Sequence, residues 1–239
     1  MFKIGVTGVR GRMGQRISAQ ITGDKDAKVM YGFEYPGHAD IGAVIDGYNV
    51  TDDPEKISEC DVLIDFSTVD ATLNNLSFLE KYNVPVVIGT TGFVPDEKLK
   101  IKEVSSVIPV VFAPNMSVGV TVFFNVLKKM AGLLKDYNIY IEETHHVHKK
   151  DAPSGTAKKM ADIVNSEGFN IKYDEIEAIR RDEVIGDHKI VFESEVDRLT
   201  LDHHAQTRDI FAKGAVVAAK WLVGKEPGLY TMEDVLGIK

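Results

Sequence analysis

KIGVTGVRGRMG, residues 3–14, decides how the first half of the chain reads. Lys3–Thr7 is a short apolar run. Gly8, Gly11 and Gly14 follow as G-x-x-G-x-x-G, and helical spacing sets in at Met13, Ile17 and Ile21. A strand, a turn without side chains and a helix start, in that order, let backbone N–H groups close on a dinucleotide's pyrophosphate. An acid is then expected about 20 positions on, at the end of the second strand, to accept hydrogen bonds from the adenosine ribose. Glu34 stands there, after KVMYGF. A glycine-rich tight turn is the plainer account of the glycines alone, but strand–turn–helix order together with Glu34 favours the dinucleotide. Arg10 and Arg12, in the same turn, either face a phosphate or lie solvated on the surface. Tyr35 stands where a 2′-phosphate wants a cation, which favours NADH over NADPH, although either arginine would compensate.

Outward from that turn the pattern repeats. DVLIDF (61–66), VPVVIG (84–89) and IPVVFAP (108–114) read as strands, with helices expected over Ser67–Tyr82 and Asp96–Ser105. Strands apolar on both faces and alternating with helices indicate a parallel sheet covered on both sides, a doubly wound Rossmann-type α/β arrangement. Gly89-Thr90-Thr91-Gly92 and Ala113-Pro114-Asn115-Met116 follow the fourth and fifth strands. Each alone reads as a turn, but loops beyond the carboxyl ends of such strands line the ligand crevice, here a nicotinamide pocket. Asp65-Phe66-Ser67 is a weaker candidate of the same kind.

Near residue 116 the pattern changes. Ser117–Leu134 reads as one amphipathic helix, YNIYIEE (137–143) alternates as a half-buried strand, and Thr156–Asn165 is helical again. Strand-like segments fill residues 171–211, Gly214–Leu222 is an apolar helix, and a short tail ends at Lys239. Strands with helices kept apart indicate an α+β domain on an open mixed sheet. Lys+Arg total 28 against Asp+Glu 36, a net charge of −8, which disfavours nonspecific nucleic-acid binding and requires a local basic site for any anionic ligand. Cys60 is the single cysteine, which excludes an internal disulfide and fits a reducing compartment. No stretch approaches a membrane span or a secretory leader, so the chain reads as cytoplasmic.

The local basic site is HHVHKKDAPSGTA, residues 145–157. His145 follows a strand, so it and His146 should point in different directions. Ser154 or Thr156 can cap the next helix, and Gly155 lets a ligand approach its backbone. A helix start beside Lys149 suits a carboxylate or phosphate, and an imidazole nearby moves protons near neutral pH. Together they describe a pocket for a small dianion that is protonated or deprotonated in reaction. A zinc site on His145, His146 and His148 lacks spaced cysteines or an HExxH pattern, so no metal is expected. A merely solvated basic loop is the other alternative, and His203-His204 reads as a structural pair in the sheet.

At Glu143–Ala157, ETHHVHKKDAPSGTA, the chain resembles the 4-hydroxy-tetrahydrodipicolinate reductase (dihydrodipicolinate reductase) family at every fixed position of its signature E-x-H-H-x-x-K-x-D-A-P-S-G-T-A. The resemblance extends through GVRGRMG, DFS (65–67), VIGTTGF (87–93), APNMSVGV (113–120) and AKGAVVAAKWLVGKEPGLYTMEDVL, nearly the whole chain. It implies NADH- or NADPH-dependent reduction of a cyclic imine bearing two carboxylates, in the diaminopimelate route to lysine. The ring loses water, accepts hydride at C4 and is protonated at the neighbouring carbon. Carried over by position, His145 is the proton donor/acceptor, Lys149 the second catalytic residue and His146 a substrate contact. Gly155 and Thr156 bind a substrate carboxylate. Cofactor contacts fall on Gly8, Val9, Arg10, Gly11, Arg12 and Met13, on Glu34, on Gly89, Thr90 and Thr91, and on Ala113, Pro114, Asn115 and Met116. The family also implies a dinucleotide-binding domain over 1–116, a substrate-binding and oligomerisation domain over 117–207 that builds a homotetramer, and a C-terminal segment, 208–239, returning to the first domain. Hinge closure is expected to bring nicotinamide and cationic cluster together. Two departures stand out: Tyr35 replaces an arginine common after the acid, and Ile179–His188 (IRRDEVIGDH) is shorter than the family's Arg-rich loop.

Overall fold

A computed structural model describes residues 1–238. By its contacts the chain forms two compact units, residues 1–118 with 209–238, and residues 119–208.

In the first unit, β1 (Phe2–Thr7), α1 (Arg12–Thr22) and β2 (Ala27–Phe33) realise the strand–turn–helix–strand order expected around the glycines. Ile17 and Ile21 of α1 are fully buried and Met13 packs against the same core, as their i, i+4 spacing requires. A hairpin that the sequence reading passed over follows: β3 (Val44–Ile45) and β4 (Tyr48–Thr51) turn at Asp46-Gly47, both with positive φ. These strands are too short for period-2 alternation to register, yet Tyr48 and Val50 are buried. The remaining elements are β5 (Val62–Asp65), α2 (Val69–Tyr82), β6 (Val86–Ile88), α3 (Pro95–Val104) and β7 (Pro109–Phe112). Every residue of β5 and β6 is buried, as expected for strands covered on both faces. Thr68 caps α2 by accepting the Ala71 N–H, and Asn83 ends the helix in the left-handed conformation.

The sheet order is β12-β7-β6-β5-β1-β2-β4-β3, every pairing parallel except that of β3 with β4. Strand order reverses on either side of β1, so the crevice of this unit opens beyond the carboxyl ends of β1 and β5. The C-terminal residues belong to this unit: α6 (Asp209–Leu222) packs on α1, β12 (Gly228–Tyr230) extends the sheet beside β7, and α7 (Met232–Val235) closes the chain. The stretch read as a tail therefore carries a strand and a helix. Its strand, three residues long with a glycine at its head, has too little apolar pattern to be seen in advance.

The second unit holds α4 (from Val118 to Leu133), β8 (Asn138–His145), α5 (Gly155–Ser166), β9 (Glu177–Arg180), β10 (Asp187–Glu193) and β11 (Arg198–His204). Its sheet runs β11-β10-β8-β9, antiparallel except for the parallel pair β8–β9, a mixed sheet as expected. One face is covered: Phe123, Leu127, Met160, Ile163 and Val164 of the helices pack on Ile141, Ile190 and Phe192. At ~1.5–3 kcal/mol per large side chain buried, this face supplies most of the unit's cohesion. Alternation then dictates what else points inward from β8 and β10: Glu143, His145 and His188, three polar residues at the end of an apolar row.

Candidate active site

The glycine turn of the first unit is built to admit an anion. Gly8 has φ +68, which a side-chain-bearing residue rarely adopts. A Cβ at Gly14 would lie 2.1 Å from the Gly8 carbonyl oxygen, so helix and turn approach more closely than any side chain permits. Gly11, the N-cap of α1, brings no side-chain acceptor, which leaves the first-turn N–H groups available. The carboxylate of Glu34 is held beside the turn, where Oε1 accepts the Arg10 backbone N–H at 2.7 Å. These features fit a dinucleotide with its pyrophosphate on the helix start and its ribose hydroxyls on Glu34. The Arg10 side chain is turned to Asp40, Nε to Oδ2 at 2.7 Å, so its charge is already answered. Val9, Ala113 and Met116 are buried and offer only backbone to a ligand, whereas Arg12, Thr91 and Pro114 are exposed. The Asn115 side chain closes its own turn by accepting the Ser117 N–H at 2.9 Å.

Asp65, at the end of β5, ties two of these loops together. Its Oδ1 accepts from Ser67 N and Oγ, Thr72 Oγ1 and Thr90 Oγ1 at 2.6–3.2 Å, while the buried Oδ2 has no partner. Burial pushes this carboxyl up against the pull of its four donors. Thr90's hydroxyl is engaged here, and Gly89 packs against the Phe66 ring.

The second unit assembles the cationic cluster. His145 ends β8 and is 8% exposed, and its Nδ1 bonds Oε2 of Glu143, two residues back on the same strand face. Glu143 is 1% exposed and surrounded by donors: Arg180 Nη1 to Oε2 at 3.0 Å, Arg180 Nη2 to Oε1 at 2.9 Å, and Ser154 N to Oε1 at 3.0 Å. Burial alone would raise its carboxyl, but the bonds from His145, Arg180 and Ser154 hold it down at about 2. A carboxylate ionised at all ordinary pH accepts the Nδ1–H and leaves Nε2 on the far side of the ring, beside Gly186.

His188, on β10 directly across from Glu143, packs its ring 5.2 Å from that of His145, edge to face at 72°. Burial, then the neighbouring His145 and His203, push His188 down to about 3, so it stays neutral. Its Nε2 lies 3.4 Å from the hydroxyl of Ser154, which caps α5 by accepting the Ala157 N–H. Ser154 is therefore the cap, and Gly155 and Thr156 form the first turn, with N–H groups that have no acceptor in their own helix. Nothing lies within 4 Å of a Cβ placed on Gly155. Lys149 pairs with Asp151 at 2.8 Å, which holds that carboxyl below its ordinary value. His146 turns the other way from His145, towards His148 and Arg208, whose Nη2 lies 3.4 Å from His146 Nε2. His203 packs against Phe123 and His188 in the sheet, and His204 is exposed beside Asp187. Among the described residues no group of three or more His, Cys, Asp or Glu is arranged to hold a metal, and no helix is long and apolar enough to cross a membrane.

Sequence reading placed His145, Lys149, Gly155 and Thr156 in one cluster, and they are neighbours in this unit. It did not foresee what holds His145. Glu143 was visible only as a letter of the signature, although period-2 spacing already put it on the face of His145. Arg180 and His188 lay in the shortened segment and gave no local signal.

Comparison with known proteins gives the chain's family. Two family models match the chain: dihydrodipicolinate reductase, N-terminus, over residues 2–116, and dihydrodipicolinate reductase, C-terminus, over residues 119–236. The chain is 41% identical, over an alignment 268 positions long, to 4-hydroxy-tetrahydrodipicolinate reductase of Geotalea daltonii, both chains covered in full. It is 40% identical, over an alignment 270 positions long, to the protein of the same name from Geobacter sulfurreducens, again with full coverage. In fold it is similar to a dipicolinate-bound dihydrodipicolinate reductase from Paenisporosarcina sp. TG-14, with TM-score 0.84, 22% identity and 97% of each chain covered. A probable dehydrogenase from Thermotoga maritima has TM-score 0.64 at 14% identity, with 99% of this chain and 93% of that one covered.

Proposed function

The chain belongs to the dihydrodipicolinate reductase family, and from that premise we propose how its own residues reduce 4-hydroxy-tetrahydrodipicolinate to tetrahydrodipicolinate in the diaminopimelate route to lysine. Residues 1–118 and 209–238 bind NADH or NADPH, through the Gly8–Gly14 turn, Glu34, the 89–91 loop and the 113–116 loop. Residues 119–208 bind the dicarboxylate. Bound NAD(P)H supplies the hydride that ring C4 accepts as the ring loses water.

His145 delivers the proton to the carbon beside C4. With Nδ1 bonded to an ionised Glu143, the imidazole becomes an imidazolium whose Nε2–H is the proton given up, and the carboxylate steadies that charge. The N–H groups of Gly155 and Thr156 at the start of α5 receive one substrate carboxylate, since a helix N-terminus favours an anion. Lys149, tethered by Asp151, adds positive charge beside the dianion and is the second catalytic residue, while a substrate contact at His146 rests on the family resemblance alone, its ring facing His148 and Arg208. The observation that carries the reading is the imidazole of His145, held at one nitrogen by a buried carboxylate, with the other on the far side of the ring. Tyr140 and Val191, paired outward on the uncovered face of the sheet, support assembly of a homotetramer there. A single, buried cysteine, Cys60, suits the cytoplasm.

The test is steady-state kinetics with freshly generated substrate and either cofactor. His145→Gln and Lys149→Ala should each lower kcat by about 10²–10⁴-fold while NADH affinity stays within about twofold. Equal loss of NADH affinity and turnover in both variants would count against these roles.

A further inference from the structure

We propose that Arg180 is a positioning residue for the proton donor, acting through Glu143. The proposal rests on the reductase reading and names what keeps its proton-transfer pair in working order. Arg180 ends β9 and is the cross-strand partner of His145. Its guanidinium meets both oxygens of Glu143, at 3.0 and 2.9 Å, a two-pronged arrangement that fixes the plane of the carboxylate. The same group donates to the carbonyls of Ile179 at 2.7 Å and Asp151 at 2.6 Å. One side chain therefore joins β9, the carboxylate behind His145 and the loop that carries Lys149. The next residue continues the tie, because Arg181 N–H donates to the His145 carbonyl at 2.8 Å.

The electrostatics explain why a cation is needed. A carboxylate that is 1% exposed has almost no water to answer its charge. The groups facing it are His145 on its own strand, Arg180 from β9, His188 from β10, and Ser154 N–H with the Lys149–Asp151 pair from the loop before α5. Of these, His188 is neutral and Asp151 answers Lys149. If Arg180 is removed, the remaining donors are the His145 Nδ1–H and one backbone N–H. Protonated Glu143 then becomes a donor, Nδ1 must accept, and the imidazole is left neutral with its only proton on Nε2. Nε2 can then give up that proton only as Glu143 returns its own to Nδ1, so each turnover needs two coupled transfers across a carboxyl that Arg180 no longer holds in plane. Arg180 thus keeps Glu143 an acceptor, and an acceptor at Nδ1 lets His145 cycle between imidazolium and neutral imidazole.

The segment Ile179–His188 runs directly from Arg180 to Gly186, whose backbone borders Nε2, and on to His188, which packs against the ring. This stretch of chain carries the cation behind Glu143 and two neighbours of the imidazole.

The experiment compares wild type, Arg180→Met and Arg180→Lys as full chains, measuring kcat and KM against pH, NADH affinity by fluorescence, and the melting profile. Arg180→Met should lower kcat by about 10²-fold with NADH affinity unchanged, and add an acidic limb to its pH profile that wild type lacks. Arg180→Lys should recover part of kcat and push that limb back towards lower pH. If Arg180→Met loses kcat with an unaltered pH profile, or keeps both, the proposal is overturned. If Arg180→Met does not fold, Arg180→Lys alone decides, by whether its limb moves. An inactive wild type sinks the reductase reading instead. The inference is then judged by carbon NMR of Glu143, whose titration must rise in Arg180→Lys or the proposal falls.

Discussion

Replacing His188 with asparagine should make the protein more resistant to acid, relative to its own stability at neutral pH. In the folded chain His188 is 5% exposed and held neutral down to about pH 3, whereas in the unfolded chain it titrates near 6.5. A depressed folded value means that the unfolded state binds the proton first. The neutral ring's contribution to stability is therefore intact above pH 6.5 and is lost as pH falls towards 3. Each pH unit inside that window costs about 1.4 kcal/mol, so between about pH 7 and about pH 5 wild type loses about 2 kcal/mol through this residue. Asparagine does not titrate. The cavity it leaves destabilises the variant equally at both pH values and cancels in the comparison. Glu143, held at about 2, stays charged throughout the window, and His145, His203 and Lys149 are common to both chains. The assay is urea unfolding at the two pH values and one protein concentration. The stability difference between variant and wild type should move by about 2 kcal/mol in the variant's favour on acidification. A difference that stays constant to within ~0.5 kcal/mol would refute the claim that His188 is buried uncharged.

Two further outcomes test the cofactor unit. Gly14→Ala places a methyl group 2.1 Å from the Gly8 oxygen. Strain of ~1–3 kcal/mol in the turn should weaken NADH binding at least about tenfold by fluorescence titration, and unchanged affinity would remove the turn from the site. Asp40→Asn frees the Arg10 guanidinium beside the ribose end of the turn. NADPH affinity should improve about two- to fivefold relative to NADH, the range for a half-exposed charge pair, and calorimetry showing no change in that ratio would exclude Arg10 from a 2′-phosphate.

The division between what was legible and what was not follows the range of the interactions. Strand–turn–helix at residues 3–14, the buried strands 61–66, 84–89 and 108–114, and a helix starting with a cap at Ser154 or Thr156 are properties of consecutive residues. Their periodicity and turn chemistry are written locally, and the sequence by itself determined them. It also brought together the residues proposed to bear the chemistry, because His145 and Lys149 sit within five positions.

Tertiary structure decided how that chemistry is controlled. Arg180 reaches Glu143 across 37 positions, and His188 lies opposite it only because β10 pairs with β8 in one register; a slip of one residue would turn His188 to the uncovered face. Asp40 meets Arg10, and Asp65 meets Thr90, through equally distant pairings. The strand at 228–230 is a strand because β7 offers it an edge. Charge state follows the same rule: whether an imidazole or carboxyl is ionised depends on burial and on the groups facing it, and neither is set until the sheet has brought distant residues together.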